Sequence, residues 1–123
     1  MNIKDLTPGV IDAMDALSVW RPASVQDEPE TRLLQWRVFR VKGNIDGGDT
    51  IHFVGRANWE GRVTSPVLEY DPTTKRGRTR SGRVYELLGD SGHNGDATYV
   101  WNRWLGMNGD PEVVDITSEY ENG

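Results

Sequence analysis

"TRLLQWRVFRVKG", Thr31 to Gly43, alternates apolar and polar side chains with a period of two, the repeat of a pleated strand and not of a helix. Leu34, Trp36 and Val38 fall on one face and Gln35 and Arg37 on the other, after which Phe39 and Val41 are apolar on the opposite parity. One extra residue in a strand exchanges its two faces, so the switch predicts a bulge near Val38 and Phe39. A long bulged strand makes a β-sheet the organising element of the chain.

Downstream, "IDGGDT" (45–50) reads as a turn in which Gly47 and Gly48 accept positive φ, and Ile51 and Phe53 begin the returning strand. "RANWEG" (56–61) is a second turn, and "RVTSPVLEYD" (62–71) a third strand whose Pro66 argues for an edge or a bulge. Asp71 and Pro72 open the next turn. In "KRGRTRSGRVYELLG" (75–89), Arg76, Arg78 and Arg80 share one side of an extended chain and Gly77, Thr79 and Ser81 the other. Ser81 and Gly82 form a tight turn, and Val84 to Leu87 alternate along the partner strand.

Helical signals flank this run of strands. Thr7 and Pro8 suit a helix start, and Val10, Ile11, Met14 and Leu17 give an apolar stripe, predicting a helix over about 8–18. Two prolines and three acids without a period make 21–30 a connector. Asp96 is expected to cap a second helix over about 96–105, with Val100, Trp101, Trp104 and Leu105 facing the core and Gly106 ending it. "EVVDIT" (112–117) suits a last short strand, and 118–123 a frayed acidic tail. The pattern predicts an α+β fold. Its centre is a curved, half-barrel-like antiparallel meander of four or five strands, with the helices covering an open face or end.

The 123 residues suit a single domain. Five Trp concentrate the apolar content: Trp36, Trp101 and Trp104 sit at periodic core positions, whereas Trp59 in a turn suits an interface anchor. No cysteine is present, so there is no disulfide framework, thiolate metal site or thiol nucleophile. The first residues lack the pattern of a secretory signal, and no stretch approaches the length of a membrane span, so a cytoplasmic protein is expected. Net charge is -5 but unevenly spread: residues 32–83 carry eleven basic and five acidic groups, and the segments on either side are acidic. Such segregation marks either a surface for an anionic partner or flanks that neutralise the middle on folding.

Catalytic signatures are sparse. His52 and His93 are the two histidines, and no Gly-x-Ser-x-Gly elbow or phosphate-cradling glycine loop accompanies them. Asp46 and Asp49, and Asp90, His93, Asn94 and Asp96, offer hard-cation ligands, yet their spacing does not complete a calcium loop, and turns use the same residues for their own bonding. The expectation is a protein without enzymatic activity, cofactor or bound metal.

The stretch Val63 to Gly89 resembles a pattern in small proteins of phages and plasmids, through Thr64, Ser65, Thr79, Ser81, Gly82, Tyr85, Leu87 and Gly89. The similarity covers about a quarter of the chain. It implies an accessory protein of a mobile element, and proteins of that kind often inhibit or adapt by binding. A non-catalytic protein that occupies the surface of a protein or nucleoprotein complex is therefore expected, an anti-defence inhibitor being one form of it, with no membrane association. Arg76, Arg78, Arg80 and Arg83, together with Trp59 and Tyr85, are its candidate contact residues, and the acidic end (Asp110, Glu112, Asp115, Glu119, Glu121) is the alternative surface. Direct nucleic-acid binding by the basic hairpin, with Trp59 or Tyr85 stacking, is a second expectation. A small metal-dependent hydrolase using the Asp-rich loops is a third.

Overall fold

The computed structural model describes residues 24–26, 28–45 and 48–121. The helix expected over 8–18 lies outside them, as do Asp46 and Gly47 of the first turn. Within them the fold is mixed α+β. The strands are β1 (Glu30–Ile45), β2 (Gly48–Ala57), β3 (Glu60–Val63), β4 (Val67–Asp71), β5 (Arg76–Thr79), β6 (Val84–Leu87) and β7 (Val113–Asp115). The helices are α1 (Gly95–Met107) and the short α2 (Ser118–Glu121).

The strands form one sheet in the order β3-β2-β1-β6-β5-β4, with β7 also on β1. β1 is the central strand and its two halves have different neighbours. Along one edge it pairs antiparallel with β2; along the other its first residues, Glu30 to Leu33, run parallel to β6, and Phe39 to Val41 pair antiparallel with β7. The sheet is thus mostly antiparallel but not a simple meander, and it is not closed. Seven strands replace the expected four or five. One reason is that "RVTSPVLEYD" is not one strand: it breaks at Ser65 and Pro66 into β3 and β4, which lie at opposite ends of the strand order. Pro66 lacks a backbone N–H for a ladder, and the chain leaves the sheet there.

The β1 bulge lies earlier than the sequence suggests. Leu34 pairs with Arg56 and Arg37 with Val54, so three steps on β1 face two on β2. The extra residue is taken up around Gln35, at φ 49. The later apolar parity of Phe39 and Val41 has another cause. Both faces of this half of β1 are covered, so both parities are apolar. On one face Leu33, Trp36, Val38, Phe53, Ala57, Tyr85, Leu87 and Ile116 form a core. On the other Val41, Val54 and Val63 meet Ala97, Trp101 and Trp104 of α1, with Phe39 stacked on Trp101 at 4.8 Å.

Curling of the sheet closes the first core. Three inter-strand steps separate β2 from β5, about 14 Å in a flat sheet. Yet a Cβ on Gly77 of β5 would lie 2.7 Å from the Phe53 ring of β2. Only a sheet folded over its own inner face brings these together, and Gly77 leaves the space that Phe53 fills. Tyr70 of β4 and Tyr120 of α2 meet the same ring edge-on, at 5.9 and 6.0 Å. Residues 118–121, expected as a frayed tail, are therefore held down as α2 by the burial of Tyr120.

Helix α1 starts one residue before the expected 96 and ends at Met107. Asn94, not Asp96, is its cap: the Asn94 side-chain oxygen accepts from the Ala97 N–H at 3.0 Å. Asp96 instead sits in the first turn, where its charge complements the helix dipole.

Candidate functional site

A concavity lies beside the bulge in β1, on the same face of the sheet that carries α1. Its lining includes Glu30, Arg32 and Leu34 of β1, Arg56 of β2, Trp59 in the β2–β3 turn, Arg76 of β5 and Leu88, and its volume is about 640 Å³. Gly55 allows the bulge to press against β2, because a Cβ there would stand 2.9 Å from the Leu34 carbonyl oxygen. With its backbone in the left-handed region, Gln35 links three segments. Its Nε2 donates to the His93 carbonyl at 3.3 Å, and its Oε1 accepts from Asn94 Nδ2 at 3.0 Å and from Arg56 Nε at 3.4 Å. Arg56 Nη1 donates to the Asn58 carbonyl at 2.6 Å. Asn58 turns the chain at φ 57, and Trp59 follows it, 90% exposed. A large apolar ring is thus held in water at the tip of a braced hairpin. Exposure of an isolated apolar residue is ordinary, but Trp is among the side chains that most often anchor protein contacts, and this one borders a concavity.

Of the expected arginines only Arg76 lines this concavity. Arg76, Arg78 and Arg80 are exposed and alternate with buried Gly77 and Thr79, so they project from one side of the strand as the periodicity predicts. They do not form an open basic row. Arg76 Nε bonds Glu30 at 2.6 Å and its Nη2 lies 3.8 Å from Glu86; Arg78 Nη2 lies 3.2 Å from Glu69. Such exposed pairs add little stability, but they cancel the field that would gather phosphates. Glu30 lowers the free energy of the charged Arg76 guanidinium and so raises its pKa, and Arg78 lowers that of Glu69. Among the described residues Arg80 has no carboxylate partner.

Two other candidates lie elsewhere. Arg83 is buried and its Nε donates to the Glu28 carbonyl at 3.0 Å, tying the connector to the hairpin. Tyr85 is buried in the core at 3% exposure and is not placed to stack on a ligand. Both face inward because the β6 neighbours alternate and the inner face is the one the sheet curls over. The acidic end is also engaged: Asp115 pairs with Arg37, and Glu121 accepts from the Ser91 hydroxyl.

The serines and threonines between Val63 and Gly89 build the scaffold. Thr64 Oγ1 accepts from the Phe53 N–H at 3.1 Å, Ser65 Oγ from the Ser81 N–H at 3.2 Å, and Thr79 Oγ1 donates to the Arg83 carbonyl at 3.0 Å. Gly82 and Gly89 adopt positive φ, and the Gly89 carbonyl accepts from Trp36 Nε1 at 3.1 Å.

Among the described residues neither Asp-rich loop gathers ligands. Asp49 pairs with Lys42 at 3.3 Å and accepts from the Gly43 N–H, which holds its carboxyl below the usual range. Asn94 is committed to capping and to Gln35. Among the described residues no three His, Cys, Asp or Glu side chains converge as metal ligands, and no helix is long and apolar enough to cross a membrane. His52 is fully buried. Its Nδ1 faces the Thr64 carbonyl at 2.7 Å, which makes that nitrogen the protonated one, and Nε2 lies 2.8 Å from the Thr50 hydroxyl. The ring packs on Trp104 at 4.8 Å.

Sequence reading identified Trp59 and Arg76 of this concavity and missed Arg32, Leu34, Arg56 and Leu88, because strands distant in sequence bring them together. Gln35 fits the polar face of the alternation together with Arg37, so it gave no local signal of the bulge. Comparison with known proteins gives no match: no protein-family model, no curated protein and no solved structure is significantly similar to the chain.

Proposed function

We propose that this is a non-catalytic accessory protein that binds a protein partner through the concavity beside Trp59. The observation that carries the proposal is the 90% exposure of Trp59 at the tip of a hairpin pinned by Arg56. Leu34 and Leu88 add apolar surface beside it, and polar and charged side chains line the rest of the concavity. An apolar centre within a polar rim is how protein contacts are built. Pairing of Arg76 and Arg78 with Glu30, Glu86 and Glu69 favours a protein over a nucleic acid, since phosphate contacts draw on uncompensated cations. The similarity of Val63–Gly89 to phage and plasmid proteins supports a setting in a mobile element, where occupying a defence component's surface is one such role.

Capture from extracts of a bacterial host, using the wild-type protein and Trp59→Ala in parallel, tests this. A partner retained by the first and lost by the second, with unchanged melting of the variant, is the expected result. Equal capture by both overturns the assignment of the surface. Binding of labelled DNA or RNA that weakens steeply with salt would replace the protein partner by a nucleic acid.

A further inference from the structure

We infer that the concavity accepts an acidic peptide segment, with a carboxylate on Arg56 and an apolar side chain against Trp59. This deepens the proposed function and rests on it. Three arginines line the concavity and two are compensated: Arg76 by Glu30 and Glu86, and Arg32 by Glu86 at 3.5 Å. Arg56 differs. Its guanidinium meets only neutral acceptors, the Gln35 amide oxygen and the Asn58 carbonyl. Among the described residues no carboxylate lies within ion-pair distance of it.

These contacts have a consequence for ligand chemistry. A guanidinium carries five N–H donors in a planar fork. Two bonds orient Arg56, and its remaining donors are positioned for a planar anionic acceptor. A carboxylate fits that fork and forms the stronger, charge-assisted bond. Because Gln35 and Asn58 already fix the side chain, little rotamer freedom is lost on binding. Trp59 follows Asn58 directly, so one bound segment can reach both the cation and the ring. A single uncompensated cation is a poor phosphate-backbone site but sufficient for one side-chain carboxylate. It also implies a shallow salt dependence, because screening of one short-range pair is the only ionic effect and no condensed counterions are released. The overall charge of -5 opposes long-range attraction of an acidic partner, so recognition depends on this short-range contact and not on steering.

The test uses a displayed random-peptide library panned on the full-length wild-type protein. Enriched peptides are then titrated against wild type, Arg56→Met, Arg56→Lys and Trp59→Ala. Sequences with Asp or Glu close to an apolar residue are expected. Arg56→Met should weaken their binding about tenfold or more, Arg56→Lys should restore much of it, and Trp59→Ala should weaken it about thirtyfold. Melting curves of the variants report whether each remains folded. Enrichment of basic or uncharged peptides, or no enrichment, overturns the inference, as does binding unchanged in folded Arg56→Met. Peptides that depend on Trp59 but not on Arg56 refute the acidic specificity and leave the proposed surface standing. Peptides indifferent to Trp59 refute the surface itself. Displacement of bound peptide by an oligonucleotide, with a salt dependence much steeper than that of the peptide, assigns the site to nucleic acid.

Discussion

Acidification should destabilise this protein through one buried ring. His52 is fully enclosed between strand and helix, and burial pushes its pKa down from 6.5 to about 4, against a smaller upward effect of the bond to the Thr64 carbonyl. The unfolded chain exposes the imidazole and binds a proton near its ordinary pKa. A lowered folded-state pKa means that the unfolded state takes up the proton first as pH falls. The stability is therefore complete above about pH 6.5 and is lost progressively between there and about pH 4. A separation of roughly 2.5 units corresponds to a total loss of about 3 kcal/mol, of which about 2 kcal/mol is gone by pH 5. That is a large share of the 5–15 kcal/mol typical of a small domain, quoted as a rough range.

The carboxylates that ion pairs or hydrogen bonds hold low, Asp49, Glu69 and Asp115, lose their contributions only below about pH 4.5, so the His52 window is separable. Urea unfolding followed by tryptophan fluorescence at half-unit steps from pH 7.5 to about 4.5 measures it directly. The expected outcome is a falling midpoint with constant m-value in the wild type and a much flatter profile in His52→Gln, whatever the variant's absolute stability. A wild-type profile flat between pH 7 and pH 5, or an undiminished slope in the variant, refutes the reasoning.

Other perturbations test the packing. Gly77→Ala forces a methyl into the Phe53 ring and should cost about 1–3 kcal/mol by denaturant unfolding, since a closed core has little room to yield. Asn94→Ala removes the cap of α1 and its bond to Gln35, for a loss of about 1 kcal/mol in the same assay. Tyr120→Ala should destabilise by about 2 kcal/mol, because the ring leaves both Phe53 and Tyr70. Trp59→Ala should leave stability within about 0.5 kcal/mol, as expected of a side chain that touches little of its own protein.

The periodicity of "TRLLQWRVFRVKG" was enough to identify the central strand, and that of "ATYVWNRWLG" the helix that covers it, because each depends on a local repeat of apolar side chains. Alternation likewise placed Arg76, Arg78 and Arg80 on a common outer face. What those arginines meet was not legible. Glu30 precedes Arg76 by 46 residues and reaches it only because β6 lies between β1 and β5 and pairs with both. The position of the bulge was misread for a related reason: a strand covered on both faces is apolar at both parities, so parity alone no longer locates the extra residue. Splitting of "RVTSPVLEYD" into two strands at opposite ends of the sheet, and the docking of Tyr120, followed from the curl around Phe53.

Local repeats along the chain thus determined which segments are strand or helix and which side chains turn outward. Tertiary structure alone decided which charges are cancelled, that Tyr85 is buried and Tyr120 docked, and that the turn holding Arg56 and Trp59 borders a concavity with Leu34 and Leu88. The physical reason is that propensity and periodicity act over a few residues, whereas ion pairing and burial depend on distances that only the completed sheet sets.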